Sequence, residues 1–170
     1  MMEYDKIENA IAKGNFVIHP HGVSMWPMIR NGKDSVVVNP HSGRLKKYDL
    51  PVYLDNRGRY VVHRIIDVTE DGYIICGDGL YEIEYDITDK NILGIVTGFF
   101  RKEKYISCDD KKYVKYVHFW VDNFYLRKPT IWTVRKIRRA KNIVVECAYR
   151  LRYGKGKYEK VQNKPTDSQK

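Results

Sequence analysis

The sequence predicts a mainly β, antiparallel fold with a basic α-helical C-terminal extension. Three observations carry that prediction. Short β-prone runs recur through residues 15–105, separated by Gly, Asn and Asp turns. From about residue 110 onward, the apolar residues fall instead at helical spacing. Charge divides at the same place: residues 1–110 hold 14 Lys+Arg and 17 Asp+Glu, whereas residues 111–170 hold 17 and 4. The net charge of +10 therefore belongs to the C-terminal part. With 43% hydrophobic and 31% charged residues, 170 residues suit one core-bearing domain with an appendage rather than a disordered chain.

The elements follow in order. Ile7, Ala10 and Ile11 fall at helical spacing and predict a short N-terminal helix within residues 1–14, closed by Gly14. Phe16-Val17-Ile18 reads as a strand leading into a turn at Ser24. Asp34 to Val38 is a strand stopped by Asn39-Pro40. Leu50 to Leu54 and Tyr60 to Ile66 read as a hairpin joined through Asn56-Arg57-Gly58. Asp71-Gly72 turns into Tyr73 to Cys76, and Ile92 to Phe100 closes the set. These strands define a β domain over 15–110. Residues 111–153 form a basic amphipathic helical extension, with Pro129 separating two helices. From Gly154 the chain is polar, and the composition predicts a disordered tail over 154–170.

Several classes are disfavoured. The N-terminus, Met1 to Lys6, lacks the apolar run of a signal peptide, and no segment offers roughly 18–20 continuous apolar residues. The expectation is a cytoplasmic or peripherally membrane-associated chain. Cys76, Cys108 and Cys147 are widely spaced, with no CxxC pair and no Cys/His cluster. They read as free thiols, and neither a metal nor a cofactor is expected.

Two segments carry chemistry. Gly22-Val23-Ser24-Met25-Trp26-Pro27-Met28 places a serine in a turn bounded by glycine and proline. Gly22 allows close backbone approach and Pro27 fixes the backbone beyond, and such a turn can hold Ser24 exposed with its own backbone N–H aimed at a developing oxyanion. A serine hydroxyl needs a base to take its proton. Histidine changes protonation near neutrality without an extreme environment, and His63 lies in the run Val61 to Ile66. Strand alternation sets Val61, His63 and Ile65 on one face and Val62, Arg64 and Ile66 on the other. His19, His21 and His41 are rival bases. The blander readings are an ordinary β-turn for Ser24 and a hydrogen-bonded structural histidine for His63.

These residues resemble a known family. Gly22 to Met28 looks like the nucleophile box of type I signal peptidases. Tyr48-Asp49-Leu50-Pro51-Val52-Tyr53 resembles the strand that follows it, and Val61 to Ile66 the box of the general base. Tyr73 to Asp78 resembles the Gly-Asp box, and Ile92 to Val96 the closing strand. The resemblance covers residues 16–101 and implies the antiparallel β-barrel-like catalytic fold shared by signal peptidases and LexA-type repressors. It implies that Ser24 attacks the scissile carbonyl, that His63 serves as base as in the Ser-His branch, and that Asp78 orients His63 or supports the site. A second acid follows in that branch; Glu84 matches best by spacing, with Glu82 and Asp86 as rivals. Gly22, Met25 and Pro27 would serve substrate or oxyanion binding. The chain departs from the pattern at Gly79, where the usual residue is asparagine, at Gly22, where some relatives have serine, and in having no N-terminal transmembrane anchor. Only 23 residues precede Ser24, too few for a repressor's DNA-binding domain.

The expected partner is a peptide or precursor-protein substrate. For the basic segment three readings stay open. It is a surface on anionic lipid, with Trp120, Phe124, Tyr125 and Trp132 near the headgroups; a nucleic-acid surface, the least favoured; or a helix face packed on the β domain or a partner. Against the peptidase stands the reading of a non-catalytic peptide-binding protein on the same scaffold, taking an extended peptide by strand addition.

Overall fold

The computed structural model describes residues 9, 11, 13–14 and 16–153. The expected N-terminal helix falls mostly outside the described residues, as does the 154–170 tail. Among the described residues from Phe16 onward there are nine strands, two α-helices and a 3-10 turn at Asp89–Asn91: β1 Phe16–Ile18, β2 Asp34–Asn39, β3 Pro51–Leu54, β4 Tyr60–Val62, β5 Arg64–Val68, β6 Tyr73–Cys76, β7 Glu84–Ile87, β8 Ile92–Arg101, β9 Lys104–Ser107, α1 Lys111–Asp122 and α2 Phe124–Tyr153. The strands make two sheets, paired antiparallel throughout. One has the order β1-β2-β8-β3-β4, with β9 also on β8, and curls into a half-barrel; the other is β5-β6-β7.

The hairpin after β3 pairs as expected, Val52 with Val62 and Leu54 with Tyr60. The run from Tyr60 to Ile66 is not one strand, however. It stops at His63 and restarts at Arg64 in the other sheet, where Arg64 pairs with Cys76. Alternation still governs which side chains are buried together. Val52, Val62 and Ile66 pack with Val36, Val38 and Phe99, while Tyr53, Val61 and Ile65 pack with Tyr73, Ile75 and Ile87. Two apolar clusters thus share the strands on either side of His63. Each fully buried aliphatic or aromatic side chain contributes about 1.5–3 kcal/mol of transfer free energy.

Composition placed the end of the β domain at residue 110, but packing continues past it. The Asp110 carboxylate caps α1 by accepting from Lys112 N and Tyr113 N. Tyr113, Val117 and Val121, at helical spacing, are buried in the first cluster. The first compact unit runs to Lys128, and the second starts at Pro129. Pro129 does not separate the helices. It lies inside α2, where it deletes the one N–H bond to the Tyr125 carbonyl, and the break comes at Asn123. There the backbone leaves helical values (φ −103, ψ 46), and the Asn123 amide side chain donates to Phe119 O at 2.9 Å. In the second unit the helix exposes Trp132, Ile137, Val144 and Leu151, and the Lys136 ammonium sits 3.7 Å from the Trp132 ring centroid.

Candidate active site

Ser24 lies in the loop from β1 to β2. The loop winds through a helical turn, with Trp26 N donating to Val23 O and Ile29 N to Met25 O. Met25, Met28 and Ile29 bury themselves in the first cluster and pin this turn to the half-barrel. Its exit is fixed by Asp34, fully buried and paired with Arg30 (2.8 Å) and Arg101 (3.1 Å). Burial pushes the Asp34 carboxyl up, and the two guanidiniums more than offset it, holding the group below its ordinary value. Ser24 itself stays half-buried.

His63 stands where the chain changes sheets. Its Nδ1 lies 2.7 Å from Glu84 Oε1 at the start of β7. Tyr53 of β3 donates its hydroxyl to both Glu84 oxygens at 3.0 Å and sits 3.1 Å from His63 Nδ1. The His63 imidazole holds the Glu84 carboxyl below its ordinary 4.5, against the upward push of partial burial. An ionised carboxylate only accepts, so Nδ1 carries a proton toward Glu84 and Nε2 is the nitrogen left with a lone pair in the neutral ring. Burial, reinforced by Glu84, pushes the Tyr53 hydroxyl far up, so it remains a donor.

Ser24 and His63 line one cavity of about 600 Å³. Its walls are mostly apolar, with Met25, Val52, Val62 and Leu80 among them, and Gly22 (φ +97) at its edge. Pro27, expected to contact substrate, is not among the lining residues. His19 and His21 line it as well, both exposed, and His41 does not.

Asp78 goes elsewhere. Its two oxygens take Arg64 Nε and Nη2, each at 2.8 Å, in a pair fully shielded from solvent. Arg64 also donates to Tyr113 OH and Tyr48 O. Burial opposes the Arg64 charge and Asp78 overcomes it, so the guanidinium pKa is raised. Asp78 is therefore bound to Arg64, and the carboxylate on His63 is that of Glu84. The neighbours of Asp78 back the serine turn directly. Gly79 N donates to Ser24 O at 2.6 Å, and a side chain at Gly79 would put its Cβ 2.5 Å from Val23 O and 2.7 Å from Trp26 O. At Gly77 a Cβ would lie 2.6 Å from Ser24 O. On the far side Trp120 Nε1 donates to Asp78 O (2.9 Å) and Arg127 Nη2 to Gly77 O (2.5 Å). Trp120, one of the four aromatics of the lipid reading, is thereby buried. Glu82 and Asp86 are exposed, and neither replaces Glu84 on His63.

Sequence reasoning missed Tyr53, Arg64, Trp120 and Arg127 as members of this neighbourhood. A tyrosine in the otherwise apolar run Pro51 to Leu54 was the available signal, because a buried phenol needs a partner. Nothing comparable marked Arg127, which lies in a stretch rich in exposed cations. Among the described residues no helix is long and apolar enough to cross a membrane, and no group of three or more His, Cys, Asp or Glu is arranged to hold a metal. No protein-family model matches the chain, and comparisons with curated proteins and with solved structures find no match.

Proposed function

We propose that this protein is a serine endopeptidase, similar to type I signal peptidases of the Ser-His branch, that hydrolyses a peptide bond in a leader or precursor peptide. The observation that carries the reading is the Tyr53–Glu84–His63 hydrogen-bonded set opening onto the cavity that Ser24 also lines. In this reaction His63 Nε2 takes the Ser24 hydroxyl proton as Oγ attacks the scissile carbonyl carbon. Glu84 steadies the imidazolium through Nδ1–H, and main-chain N–H groups of the 22–28 turn face the oxyanion. The proton then passes to the leaving amine as the C–N bond breaks, and water hydrolyses the acyl-serine with His63 again as base. The boxes around Ser24, His63 and Gly77-Asp78 and the half-barrel sheet favour the signal peptidase/LexA catalytic fold, and the apolar walls suit the apolar stretch of a leader. The same cavity would serve a non-catalytic peptide-binding protein, which makes Ser24 reactivity the deciding property.

The test is reaction with a long-chain fluorophosphonate, in which Oγ displaces fluoride from phosphorus and the serine proton goes to His63. We expect Ser24 to be the labelled residue, with labelling lost in Ser24→Ala and reduced at least 10³-fold in His63→Ala, the scale of removing a triad member. A panel of leader-bearing peptides should be cleaved by the native protein alone. Tight binding of those peptides, with no turnover and no effect of Ser24→Ala, would establish the binding-protein reading instead.

A further inference from the structure

Arg127 is the one described arginine whose guanidinium has buried nitrogens left without a partner. It is 1% exposed, yet no carboxylate pairs with it, and its Nε and Nη1 make no hydrogen bond. Only Nη2 is engaged, by Gly77 O at 2.5 Å and Leu80 O at 3.4 Å, with Cys76 Sγ at 3.9 Å. The guanidinium lies over the rings of Trp120 (5.6 Å) and Phe124 (4.9 Å), whose faces partly replace a counter-ion. A buried cation of this kind is unfavourable for stability, and an apolar side chain of similar volume would be the more stable filling. Its place in the fold needs another reason.

The contacts supply one. Gly77 to Leu80 is a strip of backbone held from both sides. On one side Arg127 and Trp120 take the carbonyls of Gly77, Asp78 and Leu80. On the other, Gly79 N donates to Ser24 O, and the carbonyls of Val23, Ser24 and Trp26 leave no room for a Cβ at Gly77 or Gly79. The Asp78–Gly79 peptide unit is held at both ends: its C=O accepts from Trp120 and its N–H donates to Ser24 O. Hydrogen bonds in series polarise one another, and the next member after the Ser24 carbonyl is the Met25 N–H, in the segment expected to face an oxyanion.

We infer that Arg127 and Trp120 are positioning residues. They set the 77–80 strip, through it fix the Ser24 main chain opposite His63, and so couple the first turns of the basic helical region to the nucleophile. This rests on the reading of Ser24 as nucleophile for its rate consequence but not for the mechanical coupling, and the two are tested separately.

The variants are Trp120→Phe, which removes the N–H donor and keeps a ring, Arg127→Met, Arg127→Lys, and Lys128→Met as an exposed control. Two quantities are read on folded protein: hydrogen exchange of the peptide covering residues 22–29, and the saturable rate of Ser24 labelling by a long-chain fluorophosphonate. Trp120→Phe and Arg127→Met should each speed exchange over 22–29. They should lower the maximal labelling rate by about 10- to 100-fold, the scale of a small misplacement of a reacting group, with the half-saturating concentration unchanged. Arg127→Lys should recover part of the rate, and Lys128→Met should match the native protein. Unchanged exchange over 22–29 in both Trp120→Phe and Arg127→Met overturns the coupling. Faster exchange with an unchanged maximal rate overturns the positioning role. If the native protein is not labelled, the nucleophile reading fails while exchange still decides the coupling. Should Arg127→Met not fold, Trp120→Phe carries both measurements.

Discussion

His63 and Arg64 are consecutive residues, and each brings a nitrogen to a carboxylate drawn from residues 78–84. The two pairs nevertheless end in different surroundings. Arg64 and Asp78 are fully shielded, bound through two parallel hydrogen bonds, and tied to Tyr113 of α1. His63 and Glu84 share one nitrogen–oxygen contact, Glu84 is about a third exposed, and the ring faces a cavity. The first pair is fixed architecture, because a guanidinium does not titrate and a buried ion pair broken on one side is strongly unfavourable. The second sets an imidazole in the wall of a cavity against a partly exposed carboxylate, an arrangement suited to proton transfer. The difference arises because the backbone changes sheets between them: β4 ends at Val62, β5 starts at Arg64, and His63 sits at the joint.

Breaking the buried pair should have the largest effect. Asp78→Asn leaves the Arg64 cation without a counter-charge, and urea denaturation should show a loss of about 3–5 kcal/mol. Labelling of Ser24 per folded molecule should fall far less than stability does; a selective loss of labelling with stability intact would place Asp78 in the chemistry instead. Glu84→Gln should do the reverse. It keeps the side-chain shape and removes the charge that orients His63, so fluorophosphonate labelling should fall about 10²-fold, near the low end for acid–base contributions. Its thermal midpoint should change by only a few degrees, since solvent reaches Glu84.

The smallest effect sharpens the contrast through pH. The Glu84 carboxyl is held below its ordinary value in the folded protein by His63. A depressed carboxylate pKa adds stability that is fully present above the unfolded-state value, about 4.3, and is lost as pH falls through the lower folded value. Urea midpoints measured from pH 5.5 down to 2.5 should therefore drop less steeply in Glu84→Gln than in the native protein. Parallel slopes would mean that the His63–Glu84 contact contributes nothing to folding.

Much of the fold was legible in the sequence. β-prone runs bounded by Gly, Asn and Asp gave most strands nearly to the residue, as at Tyr73–Cys76, because turn chemistry and alternation are local. The strands Glu84–Ile87 and Lys104–Ser107 were missed: one carries exposed Tyr85 and Asp86, the other exposed Lys104 and Tyr105, so neither shows a continuous apolar run. Pro129 gave a false helix boundary, because proline reads as a breaker in sequence while its actual effect depends on where the preceding turn starts. At the site, the pattern brought out Ser24, His63 and both acids. It did not divide the acids between His63 and Arg64, because their spacing from the base is compatible with either. Gly79 looked like a departure from a Gly-Asp-Asn pattern, and its reason is steric: carbonyls of Val23 and Trp26 occupy the space a Cβ needs.

The sequence by itself determined where most strands form, that charge gathers after residue 110, and which few residues are candidates for acid–base and nucleophilic chemistry. These follow from local propensity, periodicity and side-chain type. Only the tertiary structure decided that Glu84 meets His63, that Asp78 is bound to Arg64, that Tyr53 joins the set, and that Trp120 and Arg127 donate to the Gly77–Asp78 carbonyls beside the Ser24 turn. Those outcomes depend on which sheet each strand enters and on which groups lose their water together, properties of the packed whole that no local pattern records.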